Sequence, residues 1–196
     1  RSVGANLFGG VCVNLLRHPG WGRAQETYGE DPTHFAALGS ASVRGVREHA
    51  IACVKHFALN SIDSARFRVD VRVSDRVLHE VYLPHFRAAV EAGAMSVMSA
   101  YNSVNGAWCG QNRMLLTDVL KQRWGFTGFV LTDFIFGLRD AAVAVNAGLD
   151  LEMPFLFHKR AHLPAAIASG EVPCSRIDDA VTRMLRAQLS LPTDED

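Results

Sequence analysis

Short apolar runs that stop abruptly on polar or ionisable residues, each followed by helical periodicity, constrain this chain more than any other feature. Phe129-Val130-Leu131-Thr132 runs without a polar break and ends on Asp133. Gly10–Leu16 ends at Arg17, Ile51–Val54 at Lys55-His56, and Met95–Asn102 closes on polar residues. Leu149–Pro154 is a fifth such run, with the acids Asp150 and Glu152 near its end. Runs this short and this apolar fit strands covered on both faces, as in a parallel sheet.

Helices are expected between the runs. Asp31 followed by Pro32 pairs an N-cap acceptor with proline at the first helical position, and Phe35, Leu38, Ser42 and Val46 carry that helix to about Glu48. Ser74 is expected to cap a second helix, kinked at Pro84. Thr117 is expected to cap a short one over 118–124. A fourth spans 137–147 and ends at Gly148. Two more close the chain, about 159–168 and 175–189, the latter capped by Ser175. Asn105-Gly106 signals a tight turn. The alternation argues an α/β fold with parallel strands. Strands that repeatedly end on ionisable residues match a (β/α) barrel, whose chemistry sits at the C-terminal strand ends. A doubly wound sheet is the alternative, but no GxGxxG or GxxxxGK[ST] follows any run.

Composition narrows the function classes. The 196 residues, 48% hydrophobic, suffice for one sizeable core. They fall short of the roughly 250 of a whole (β/α)8 barrel. Twenty basic and twenty acidic residues cancel with no run of one sign, which removes the footprint of a nucleic-acid or polyanion binder. Cys12, Cys53, Cys109 and Cys174 form no CxxC pair, so neither a metal clip nor a disulfide framework is supported. Cys12 and Cys53 read as buried thiols. No stretch approaches the roughly 18 apolar residues of a membrane span. The first residues show neither Met nor a signal-peptide layout, so the chain reads as a piece of something longer and its compartment is not legible.

Several residues could carry chemistry. Asp133, closing its run, is either a catalytic carboxylate or the cap of the next helix. Lys55 and His56 could hydrogen-bond a polyhydroxylated or anionic substrate. Their structural alternatives are a backbone-satisfied histidine and a lysine reaching solvent, and a Schiff-base role for Lys55 is a third reading. Arg23, in a glycine-flanked loop, offers a fork of donors to hydroxyls or carboxylates, or else staples its loop to Glu26, Glu30 or Asp31. Met98 at strand spacing suits the core. Tyr101 suits a pocket wall or a partner that orients a carboxylate.

Taken together these segments resemble glycoside hydrolase family 3. Arg17-His18-Pro19-Gly20-Trp21-Gly22-Arg23-Ala24-Gln25-Glu26 with Gly29-Glu30-Asp31-Pro32 resembles its R-x-P-x-x-G-R-x-x-E…E-D-P segment, and Lys55-His56-Phe57 its KHF motif. Val97–Asn102 with Val104-Asn105-Gly106, then Leu115–Asp118 and Trp124-Gly125-Phe126 ahead of Asp133, then Gly148–Pro154, follow in the family's order. The resemblance covers about residues 10 to 190. It implies the last five βα units, roughly, of a (β/α)8 barrel over 1–190, with 191–196 as tail or linker. It further implies that Asp133 is the nucleophile of a retaining glycosidase, held ionised by nearby Arg and Lys charges that lower its pKa. Arg23, Lys55 and His56 would hold the sugar hydroxyls, with Met98, Tyr101 and Phe134 on the subsite wall. Phe134 stands where the family usually has Trp, which changes what can stack on the sugar.

The implied substrate is a terminal β-glucoside or β-xyloside, and neither metal nor organic cofactor is implied. The loop Ala58–Arg66 lacks the His of the N-acetylhexosaminidase branch, with Ala65 in its place. The proton donor is therefore expected on a second, C-terminal α/β domain. Glu152 is an in-chain candidate, but it also reads as a strand-end residue of a common motif. Two other readings stay open: a Schiff-base lyase or aldolase using Lys55, and a sugar-binding barrel without catalysis.

Overall fold

The structure is a computed structural model that describes residues 4–155 and 157–191, and of residues 157–160 the backbone alone. The expected tail beyond Leu191 lies outside the described residues. In chain order the elements are β1 (Leu7–Cys12), α1 (Pro32–Arg47), β2 (Ile51–Phe57), β3 (Asp70–Val71), α2 (Asp75–Val77), α3 (Pro84–Glu91), β4 (Ser96–Ser99), β5 (Ser103–Val104), β6 (Ala107–Trp108), β7 (Phe129–Leu131), α4 (Ala141–Ala147), α5 (Phe157–Ala168) and α6 (Cys174–Leu189). β1, β2, β4 and β7 form a parallel sheet in that order. Helical crossovers join its strands, as parallel pairing demands, so the α/β expectation holds. No helix among the described residues is long and apolar enough to cross a membrane.

The two faces of the sheet bury different clusters because side chains alternate along a strand. Val54, Val97 and Val130 face Phe35 of α1, Phe86 of α3 and Leu116 and Leu120 of the helical segment Met114–Arg123. Phe57 meets Phe86 and Trp124 edge-on, with ring centroids 5.2 and 5.8 Å apart. The other face carries Cys53, Met98, Phe129 and Leu131, with Ala187 of α6 against them. Cys12, Cys53 and Cys109 are buried free thiols, and burial pushes Cys53 and Cys109 up to about 12.

The signals that carried a complete mechanism hold. The Asp31 side chain accepts from Thr33 N at 2.8 Å with Pro32 at the first helical position. Asn105 (φ 49°) and Gly106 (φ 93°) turn β5 into β6, the two positive φ values a tight hairpin requires.

Six expectations change. Lys55 and His56 lie inside β2, which runs to Phe57, rather than beyond it. Pro84 starts α3 instead of kinking a longer helix: Leu78–Tyr82 widens into a π turn, closed by Leu83 N to Leu78 O at 3.0 Å. A proline without an N–H cannot extend the ladder, but it suits a first turn. Thr117 caps nothing. Its hydroxyl donates to Ala147 O at 2.8 Å, and the Asn112 side chain accepts from Leu115 N at the segment's start. α4 begins only after Asp140, whose carboxylate accepts from Val143 N, and α6 starts at Cys174 after Pro173 with no side-chain cap.

Leu149–Pro154 forms only a bridge from Leu151 to Leu131. The reason is Asp150, whose buried carboxylate takes Val130 N (2.7 Å), Lys121 Nζ (2.8 Å) and the Arg176 guanidinium. A side chain thus takes the Val130 N–H at the near end of the pairing, while Leu151 N to Val130 O and Thr132 N to Leu151 O, both 3.0 Å, form the bridge itself. Asp150 also ties α6 to β7, and removing one partner of such a buried pair typically costs about 3–5 kcal/mol.

His85 gives the fold a pH dependence. It is 1% exposed between Phe35 and Phe86, and burial pushes its pKa down to about 4. With the folded value below the unfolded 6.5, the unfolded chain protonates first as pH falls. The stability is full above 6.5 and is lost toward pH 4, by about 3 kcal/mol. His85→Phe in the intact protein is expected to narrow the gap between the melting temperatures at pH 7 and pH 5. An unchanged gap would count against this assignment.

Candidate active site

β7 alternates Phe129 and Leu131 toward one face, and the chain continuing past it brings Asp133 to the C-terminal end of the sheet. Asp133 is only 6% exposed. Its Oδ1 accepts from Phe134 N at 2.8 Å, and its Oδ2 has no hydrogen-bond partner among the described residues. The Tyr101 hydroxyl donates to Phe134 O at 2.7 Å, so the peptide that holds the carboxylate is itself held. Burial and the nearby charge of Asp133 raise the Tyr101 pKa. Asp133 caps no helix; that task falls to Asp140.

β2 supplies the facing groups. Its register slips between Val54 and Phe57, and irregularities of this kind re-aim side chains. His56 Nε2 lies 3.6 Å from Asp133 Oδ2, and Lys55 Nζ lies 3.5 Å from Glu26 Oε2. Arg23 grips the same Glu26 through Nε and Nη2 at 2.8 and 2.9 Å. This is the loop-stapling pair expected as the structural alternative, yet Arg23 remains close enough for its charge to act on both Asp133 and His56. The Arg23 hydrogen bonds hold Glu26 below its ordinary pKa.

The Asp133 pKa corrects the sequence expectation. It is raised, not lowered, because burial outweighs the Phe134 N–H, Tyr101, Arg23 and Arg66 together. Glu26 absorbs part of the cationic field that the sequence reading assigned to Asp133. His56 moves the other way: burial, with Arg23, Lys55 and Arg66, holds it well below 6.5. The site therefore favours a neutral imidazole beside a carboxyl that gives up its proton reluctantly.

Arg23, His56, Tyr101 and the backbone of Phe134 thus converge on Asp133, and Lys55 joins them through Glu26. Phe134 is 46% exposed. Met98 is level with Leu131 and packs in the apolar cluster beneath the site, with Cys53 and Phe129. Glu152 is buried just past the Leu151 bridge. Among the described residues no three His, Cys, Asp or Glu side chains gather as a metal site would.

Three contributors escaped the sequence reading. Asn14 bonds His56 three times. Its signal was present, since a polar residue inside an apolar run must find a partner. Arg66 lies over the rings of Phe67 and Tyr101, 5.0 and 5.1 Å from their centroids, and nothing local in its loop marked it. Gly137 comes so close to Asp133 that a Cβ there would meet the Asp133 carbonyl oxygen.

The family model described as the glycosyl hydrolase family 3 N terminal domain matches residues 2–187. The chain belongs to glycosyl hydrolase family 3. A β-glucosidase of Rhizobium radiobacter is 40% identical over 188 residues, covering 94% of this chain and 23% of that protein. The thermostable β-glucosidase B of Acetivibrio thermocellus is 38% identical over 182 residues, 90% of this chain and 24% of that protein. Among solved structures, β-glucosidase 3B from Thermotoga neapolitana in complex with glucose aligns with a TM-score of 0.92 at 35% identity. That alignment covers 96% of this chain and 28% of the other. The family 3 chain therefore spans about a quarter of the length of these relatives, which are glycosidases.

Proposed function

We propose that these residues provide the nucleophile and the sugar-holding cations of a retaining β-glycosidase acting on terminal, non-reducing β-glucosides or β-xylosides. The parallel sheet is on this reading part of a (β/α)8 barrel, about its last five βα units. The general acid belongs to a part of the protein beyond these residues. The supporting observation is a buried carboxylate with one unpartnered oxygen at the C-terminal end of a parallel strand, flanked by His56 and by Arg23 and Lys55 latched together on Glu26.

In the reaction Asp133 Oδ2 attacks the anomeric carbon while a second carboxyl, about 5–5.5 Å away, protonates the departing oxygen. Water then cleaves the glycosyl ester with net retention. Arg23, Lys55 and His56 hold the ring hydroxyls in place, Tyr101 and Phe134 form the wall of the hollow, and Met98 supports it from beneath. The raised Asp133 pKa puts the acid limb of the rate profile above the ordinary aspartate range, because only the ionised form attacks. An aldolase would need an uncommitted Lys55 amine, whereas Lys55 Nζ sits in an ion pair with Glu26.

A 2-deoxy-2-fluoroglucoside with a good leaving group tests the assignment in the full-length protein. It is expected to inactivate with one adduct, located by peptide mass on Asp133. An adduct on another carboxylate, or turnover with no adduct, overturns it. Glycoside binding without any adduct would favour a non-catalytic barrel.

A further inference from the structure

We propose that Asn14 is a positioning residue that locks His56 as the neutral tautomer protonated on Nδ1, so that Nε2 presents a bare lone pair beside Asp133. The inference rests on reading Asp133 and His56 as parts of one sugar site. Asn14 Nδ2 donates to His56 O at 2.9 Å, which fixes the orientation of the amide. Rotating it by half a turn would set its NH2 against the His56 backbone N–H. In the fixed orientation Oδ1 accepts from His56 N at 2.7 Å and faces Nδ1 at 3.0 Å. An amide oxygen only accepts, so Nδ1 carries the proton. Both side chains are almost completely buried, so bulk solvent does not compete for these bonds.

The consequence falls on Nε2. A neutral ring protonated at Nδ1 leaves Nε2 bare, and it faces Asp133 Oδ2 across 3.6 Å. Two acceptors then look at each other with no donor between them, a place made for a ligand hydroxyl. An imidazolium in the same position would pair with Asp133 and occupy the oxygen needed for attack. The charged groups acting on the ring are Arg23 from the loop after β1, Lys55 on β2 and Arg66 in the next loop, with Asp133 opposite Nε2. Glu26 pairs with Arg23 and Lys55, Tyr101 acts on Asp133, and the Cys12 thiol reaches Asn14 Oδ1. The three cations oppose a second proton on His56. Asn14 completes the arrangement because its oxygen, unlike a carboxylate, brings no full charge that would stabilise the imidazolium.

The first test reads the tautomer directly. In full-length protein labelled with 15N-histidine, His56 is expected to show a protonated Nδ1 and a bare Nε2 between pH 5 and pH 8, with Asn14→Leu and His56→Gln supplying the assignment. A bare Nδ1 overturns the proposal. The second test reads catalysis. Asn14→Leu, folded by circular dichroism, is expected to lose roughly 10- to 100-fold in kcat. Asn14→Asp restores an acceptor to Nδ1 and is expected to recover most activity at alkaline pH, with the acid limb moved up by about one unit or more. An Asp variant with the wild-type profile, or one no better than Leu, overturns the positioning role. If the tautomer is as stated while the fluoroglucoside leaves Asp133 unlabelled, the tautomer lock stands and the glycosidase assignment falls.

Discussion

Asp133→Asn in the full-length protein is expected to lower kcat/KM by about four orders of magnitude or more while raising the melting temperature. The first effect follows from removing the proposed attacking group, since a nucleophile's contribution is the part other residues cannot replace. The second follows from the site's electrostatics. Burial raises the Asp133 pKa in the fold, so the folded protein holds that proton more tightly than the unfolded chain. As pH rises above the unfolded value of 3.8, this stability is lost, and at neutral pH the buried charge destabilises the fold. Asparagine keeps the shape and the Phe134 N–H bond to Oδ1, and its new NH2 can donate across the gap to His56 Nε2. Loss of activity with gain of stability is the signature of a site held under electrostatic strain. Asp133→Gly with added azide should recover part of the turnover, releasing a glycosyl azide of opposite anomeric configuration. A destabilised Asn variant that still turned over would break both halves of the argument.

What could be read from the sequence divides along the range of the interactions involved. The α1 cap, the 105–106 turn and the strand ending at Asp133 were legible because each is specified within a few residues. Asp150 shows the opposite case. Its run is apolar and alternating enough to read as a strand, and only the fold brings Lys121 and Arg176 to its carboxylate, beside a pairing that stays as short as one bridge. Thr117 failed likewise, since a hydroxyl at a helix start and one reaching a carbonyl thirty residues away look alike in a sequence. At the site, Arg23, Lys55, His56, Tyr101 and Asp133 were legible as types in order. The sign of the Asp133 shift was not, because it depends on burial and on Glu26 occupying the cations. Neither quantity is written locally.

Gly137→Ala is expected to lower kcat by roughly a hundredfold without removing any group that touches substrate. A Cβ at Gly137 would run into Asp133 O and lie 2.8 Å from Asp133 N, both backbone atoms that cannot swing aside. Gly110 packs in turn on Gly137, where a Cβ of its own would run into the Gly137 carbonyl oxygen, so the segment has no room to retreat. The strain has to be relieved by moving the peptide that carries Asp133, the proposed nucleophile. A displacement of about 1 Å at a reacting atom is enough for a hundredfold loss, while overpacking of this kind costs about 1–3 kcal/mol in stability. The hydrogen bond from Tyr101 to Phe134 O should weaken with it, because it spans the same peptide. KM is expected to change little, since Arg23 and Lys55 stand on other segments and keep their grip on Glu26. Steady-state kinetics beside a thermal melt separate the outcomes. A hundredfold fall in kcat with a folded protein supports a steric seat for the nucleophile, and wild-type kcat in a folded Gly137→Ala protein refutes it.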